Sequence, residues 1–184
     1  MVRSWWAIGA LIALCGCTQM APRYTASVEN IQKLRDTGSG KVKVGKFEDD
    51  SASASKLESI SLRGSTMVSP YGKYTAYLEE ALKSELGAAG LLDAGANVEI
   101  SGVLLKNDVD VSGFSEASAE LDARVIVKRG SAIRFDKTQH AKITFESSFA
   151  GAVAIPRGVQ SYPNLVQKFL SDLYADPAFL AALK

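Results

Sequence analysis

Ala119-Glu120-Leu121-Asp122-Ala123-Arg124-Val125-Ile126-Val127 alternates apolar and charged side chains at every second position until Ile126. Successive side chains of a strand point to opposite faces, so this period marks a strand with one buried and one wet face. Lys128-Arg129-Gly130-Ser131 then turns the chain. Ile133, Phe135, Ala141, Ile143, Phe145 and Phe149 supply a return strand, interrupted near Asp136. Together the two predict a long antiparallel hairpin.

Working upstream, the stretch 98–105 reads as another strand through Val98, Ile100 and Leu104, with Gly102 as a bulge or a point of close approach. The stretch 110–117 is compatible with a loop or with an edge continuation of that strand. Before it, Tyr74, Leu78, Ala81, Leu82, Leu86 and Ala89 recur at helical spacing, with Glu79, Glu80, Lys83 and Glu85 assigned to other faces and Gly90 as the stop. Tyr71, Tyr74 and Tyr77 share that spacing and read as core rather than as a platform for a ligand. Over 41–47, Val42, Val44 and, in weaker register, Phe47 alternate with lysines, giving the first strand.

Downstream, Tyr162-Pro163-Asn164 opens a helix whose apolar face is Leu165, Val166, Phe169, Leu170 and Leu173. Pro177 interrupts it, and Phe179, Leu180 and Leu183 form a last turn or two folded back on the body. Strand, helix, three strands, helix predicts an α+β fold with two main helices packed on one face of a mostly antiparallel sheet of about four strands.

The N-terminal end has a different character. Arg3 precedes an apolar run from Trp5 to Leu14, too short to span a bilayer and of the length of a signal-peptide core. It closes in Leu14-Cys15-Gly16-Cys17, which resembles the bacterial lipobox, with a small residue just before the acceptor cysteine. Choosing Cys15 as acceptor would put bulky Leu14 at the cut, so Cys17 is the expected lipidation site. Thr18 after it, in place of aspartate, implies sorting to the outer membrane of a two-membrane cell. The expected organisation is therefore a signal peptide over 1–16, a lipidated cysteine with tether and short helix over 17–40, and one domain over 41–184. In the short helix Ser27 is the cap and Val28, Ile31 and Leu34 the inner face.

The segment 49–73 is long, rich in serine and glycine, and carries Ile60, Leu62, Met67 and Val68. A connection of this length needs a reason, and those four are the candidate contacts to a partner. The alternative is a short edge strand at Ile60 and Leu62 with the rest disordered.

Composition narrows the chemistry. The chain has a formal net charge of +1, and Arg3 is the leader's only charge, so the processed chain is about neutral and shows no basic run for nucleic acid. Cys15 and Cys17 are its only cysteines, leaving the domain no disulfide and no thiol nucleophile. A single histidine, His140, rules out a histidine metal cage and reads as a solvent-facing strand residue. Asp108, Asp110 and Ser112-Gly113 lack the spacing of a calcium loop, and Gly38-Ser39-Gly40-Lys41 lacks the first glycine and the final hydroxyl of a phosphate loop. Ser115, Ser147 and Ser148 have no elbow glycines around them. Neither a catalytic set nor a cofactor is expected.

With its lipobox, strand-helix-strand opening, long hairpin, Ala150-Gly151-Ala152 segment, helix from Asn164 and closing Asp176-Pro177-Ala178-Phe179, the chain resembles the YajG-type lipoproteins of Gram-negative bacteria. Its layout is also similar to the curli-secretion lipoprotein domain, the lipoprotein activators of penicillin-binding proteins and the lipoprotein plug of the lipopolysaccharide transporter. The resemblance implies a non-catalytic envelope module, membrane-bound through lipid on Cys17 and facing the periplasm. Such a module binds an envelope protein or, as the alternative, a small ligand, lipid or peptidoglycan fragment.

Overall fold

The computed structural model describes residues 17–184. The expected signal peptide and Cys15 lie outside the described residues.

The hairpin that decides the fold is β6 (Glu116–Arg129) with β7 (Ala132–Glu146), and β5 (Val98–Asp110) pairs antiparallel with β6. A fourth strand, β2 (Val42–Asp49), joins β5 in parallel, so the sheet order is β2-β5-β6-β7. The α+β class and the mostly antiparallel four-stranded sheet are as the sequence implies. A parallel neighbour needs a crossover, and its longest element is α3 (Tyr74–Ala88). β7 runs unbroken through Asp136, because Asp136 faces outward and forms an ion pair with Arg124; the irregularity falls at Val127/Lys128 beside the turn.

One face of the sheet is dry. From β6 it receives Ala119, Leu121, Ala123, Val125 and Val127, and from β5 Val98, Ile100 and Leu104. Against it lie α3, through Tyr74, Leu78, Leu82 and Leu86, and α4 (Gly151–Leu173), through Tyr162, Leu165, Val166, Phe169 and Leu173. α4 begins well before Tyr162 and runs through Pro156 and Pro163. Each proline removes one helical N–H, yet Ala154, Val159 and Tyr162 are buried along this stretch, and that burial outweighs the lost bonds. α5 (Pro177–Ala182) is capped by Asp176, which accepts from the Ala178 N–H, and folds Phe179 into the core.

The opposite face is polar and laced with cross-strand ion pairs. Glu120 accepts from Lys106 and Lys142, Arg124 holds Asp136 with both guanidinium arms, and His140 meets Asp122. His140 is solvent-facing, as expected, with its side chain 57% exposed.

The segment after β2 departs from the sequence reading. It folds into α2 (Ala54–Leu57) and a hairpin of β3 (Ile60–Leu62) and β4 (Ser65–Val68). Its turn, Arg63-Gly64, has φ of 49° and 87°, the two positive values that an inverted two-residue hairpin turn requires. The hairpin lies where β5 leaves the sheet and α4 begins. A Cβ on Gly158 would come within 2.6 Å of Val111 and 3.6 Å of Leu62, so glycine is what lets these three elements close together.

The expected tether is likewise structured. β1 (Thr18–Met20) lies parallel to β4, giving the small sheet the order β1-β4-β3, and Ala21 and Tyr24 enter the core. α1 (Val28–Asp36) has Ser27 as its cap, as expected, but Val28 is 81% exposed while Asn30 and Leu34 point inward. The folded body therefore starts at β1 and not at residue 41. Tyrosine hydroxyls bind much of this irregular chain. Tyr77 donates to the Pro22 carbonyl at 2.8 Å, Tyr74 to Met67 at 3.0 Å, and the Tyr24 N–H reaches the Tyr71 hydroxyl at 3.3 Å.

Candidate functional site

Cys17 is exposed, and its carbonyl accepts a hydrogen bond from the Thr66 N–H at 3.1 Å. Because Thr18 stands in register with Thr66, Cys17 stands beside Ser65 at the entrance of β4. The predicted lipid acceptor is thus fixed to the folded body with no intervening slack.

The turn next to it organises the same end of the molecule. Arg63 donates to the Phe149 carbonyl at 2.8 Å and to the Gly113 carbonyl at 3.0 Å. It therefore pins the β5–β6 connection and the β7–α4 connection to the β3–β4 hairpin. The two phenyl rings so positioned, Phe114 and Phe149, stack with centroids 5.5 Å apart and planes 3° from parallel. Both stand out in solvent, 73% and 75% exposed. Phe149, expected in the return strand, lies beyond its end.

No family model matches the chain, and no curated protein matches it. Among solved structures, it is similar to a Xanthomonas campestris protein of the DUF330 family, with a TM-score of 0.53 at 12% identity over 86% of this chain and 95% of that one. A second, uncharacterized protein aligns with a TM-score of 0.50 at 7% identity, over 86% of this chain and 98% of the other. A Caulobacter crescentus protein provisionally named a lipoprotein aligns at 0.47 with 11% identity, over 85% and 98%. At such identities the first likeness is one of fold. Among the described residues no helix is long and apolar enough to cross a membrane.

Three of the four candidate partner contacts are corrected by their surroundings. Ile60, Leu62 and Met67 are at most 2% exposed, and Val68 is half-buried. Alternation along a hairpin turns the first three into the body, where their burial holds the small sheet onto β5 and α4. These three are core, and large exposed apolar side chains lie elsewhere, among them Phe114 and Phe149 on connections that gave no periodic signal.

A cleft of about 610 Å³ does open beside the 49–73 segment, between the end of β2 and the start of α3. Lys46, Asp49, Tyr71, Lys73, Thr75 and Glu79 contribute to its walls. Lys73 pairs with Asp49 at 2.9 Å, which holds the lysine above its ordinary range, and Glu79 accepts from the Phe47 N–H at the β2 bulge. The cleft offers charge of both signs to a polar ligand.

One buried polar cluster was not foreseen. Glu85, assigned to an outer face, has no exposed surface, and Oε1 accepts from the Tyr24 hydroxyl at 2.5 Å, the Ser27 N–H at 3.1 Å and Asn30 Nδ2 at 3.1 Å. Burial and this carboxylate raise the Tyr24 and Tyr174 hydroxyls far above the usual phenol range, so both stay protonated and available as donors. The cluster fastens the N-terminal segment to α3. It is closed to solvent and offers no opening to a substrate.

Proposed function

We propose that this chain is a lipid-anchored envelope protein on the periplasmic side of the outer membrane, acting as a non-catalytic accessory or scaffold for an envelope protein complex. The observation that carries the reading is the apolar run closing in Leu14-Cys15-Gly16-Cys17, with Cys17 exposed at the mouth of the small sheet. Two or more acyl chains on one residue give the stable anchoring that a single chain does not. The neutral charge and the rigid ion-paired outer face of the sheet suit a protein partner better than a polyanion.

The cleft beside β2 favours a second reading, a binding module for a small ligand or peptidoglycan fragment held by Lys46, Lys73 and Glu79. Affinity capture from detergent-solubilised envelopes separates the two. A protein recovered in stoichiometric amount is the expected result. Recovery without protein but with a bound glycan or small molecule overturns the scaffold and supports the cleft.

A further inference from the structure

We propose that the Phe114–Phe149 pair is a membrane-contact site that seats this end of the body in the headgroup region of a bilayer. This rests on the reading of Cys17 as the lipid acceptor. The argument is one of position. Cys17 lies one strand spacing, about 4.8 Å, from Ser65, and Ser65 follows the Arg63-Gly64 turn whose guanidinium holds both ring-bearing connections. Acyl chains leaving Cys17 therefore enter the bilayer from the end that carries the rings. Arg63 is the only non-glycine residue of positive φ among those described, at 49°, so backbone strain is accepted where this linkage is made.

The rings themselves have the chemistry of an interfacial contact. A single exposed phenylalanine is ordinary on a surface, but two from separate connections, stacked on each other, form an apolar patch at one end, and Val153, 41% exposed, follows Phe149 by four residues in the first turn of α4. Aromatic and aliphatic side chains of this kind partition into the headgroup boundary. The end is not basic: Glu116 and Glu146 face each other across β6 and β7, and Arg157 pairs with Glu146 at 3.3 Å. Attraction to anionic lipid therefore does not drive the contact, and neutral phosphatidylcholine suffices.

The test uses the full chain with its leader, carrying Phe114→Trp. The two native tryptophans, Trp5 and Trp6, leave with the leader, so the new indole is the sole tryptophan in the processed protein and is read by red-edge excitation that spares the tyrosines. Mass spectrometry first reads acylation, and the protein is then placed in phosphatidylcholine vesicles. The expected result is an acylated protein with blue-shifted emission, quenched by lipid brominated near the headgroup and protected from aqueous iodide, with Phe149→Trp behaving alike. Acylated protein whose indole is quenched by iodide overturns the contact and leaves the anchor standing. Protection from both quenchers means that protein covers the rings and also overturns it. A chain that gains no acyl mass overturns the anchor and the contact together.

Discussion

The Tyr24 hydroxyl donates to Glu85 at 2.5 Å across 61 residues of sequence, inside the body. The bond ties the segment between β1 and α1 to the middle of the protein. Glu85→Ala leaves the Tyr24 hydroxyl and the Ser27 N–H without their acceptor, takes one of two from the Asn30 amide, and is expected to cost roughly 3 kcal/mol. Tyr24→Phe removes one donor and costs about 1–2 kcal/mol. Urea midpoints measure both, and a Glu85→Ala midpoint equal to that of the more exposed Glu80→Ala would refute the role.

Leu62 and Leu82 should respond alike although the sequence separates them into loop and helix. Each is at most 1% exposed, so truncation to alanine costs about 2–5 kcal/mol. Glu79→Ala, outward on the same helix as Leu82, should cost about 1 kcal/mol, because the Phe47 N–H loses its acceptor. Thermal unfolding of the three variants gives the order, and a Leu62→Ala protein as stable as wild type would return the 60–68 hairpin to the surface.

Gly102 is fixed by space. A Cβ there would stand 2.4 Å from the Arg124 carbonyl oxygen and 2.5 Å from the Phe47 ring. Gly102→Ala is expected to destabilise by about 1–3 kcal/mol. Adding Phe47→Ala removes the ring but not the carbonyl, so the double variant should lose less than the sum of the single losses. Strict additivity in denaturant would show that the ring is no obstacle.

Acid should loosen the outer face of the sheet in a defined window. Hydrogen bonds from Lys106 and Lys142 lower the Glu120 carboxyl from its ordinary 4.5 to about 2. A carboxylate lowered on folding contributes stability above its unfolded value, and that contribution is lost as pH falls through the folded one. Stability should therefore decline between about 4.5 and about 2. Glu120→Gln should flatten that decline, and high salt should shrink the difference because the pairs are exposed. An unchanged slope in the variant would place the acid sensitivity elsewhere, with Asp136 and Asp176, also lowered by their Arg124 and Lys137 partners, the next to vary.

Cys17→Ser should abolish incorporation of labelled palmitate, whereas Cys15→Ser should retain it. Label kept by the first variant and lost from the second would move the processing site.

Much of this architecture was legible because alternation and helical spacing are written directly into β6, β7 and α3. Where the reading failed, residue type overrode position. Glu85 stands four residues after Ala81 and seven after Leu78, inside the apolar stripe, and only its charge argued for the outside. Arg63-Gly64 makes a hairpin turn in which arginine occupies the place usually held by asparagine or aspartate, so the short strands around it read as loop. Pro156 and Pro163 masked the first half of α4, whose stability comes from tertiary burial rather than local propensity. The Phe114–Phe149 stack joins two connections far apart in the chain, and nothing periodic announces it.

The partners of the N-terminal segment set an order in time. Asn30 reaches the Gln167 carbonyl, Lys33 reaches Ser171 and Gln167 returns to the Thr25 carbonyl, over separations of 137, 138 and 142 residues. A chain delivered N-terminus first has those acceptors and donors waiting until α4 arrives, nearly the last element to emerge. For the exported chain proposed above, Thr25, Asn30 and Lys33 therefore cross early and gain their α4 partners late, whereas Cys17, bonded to Thr66 of the β3–β4 hairpin, does not wait for α4.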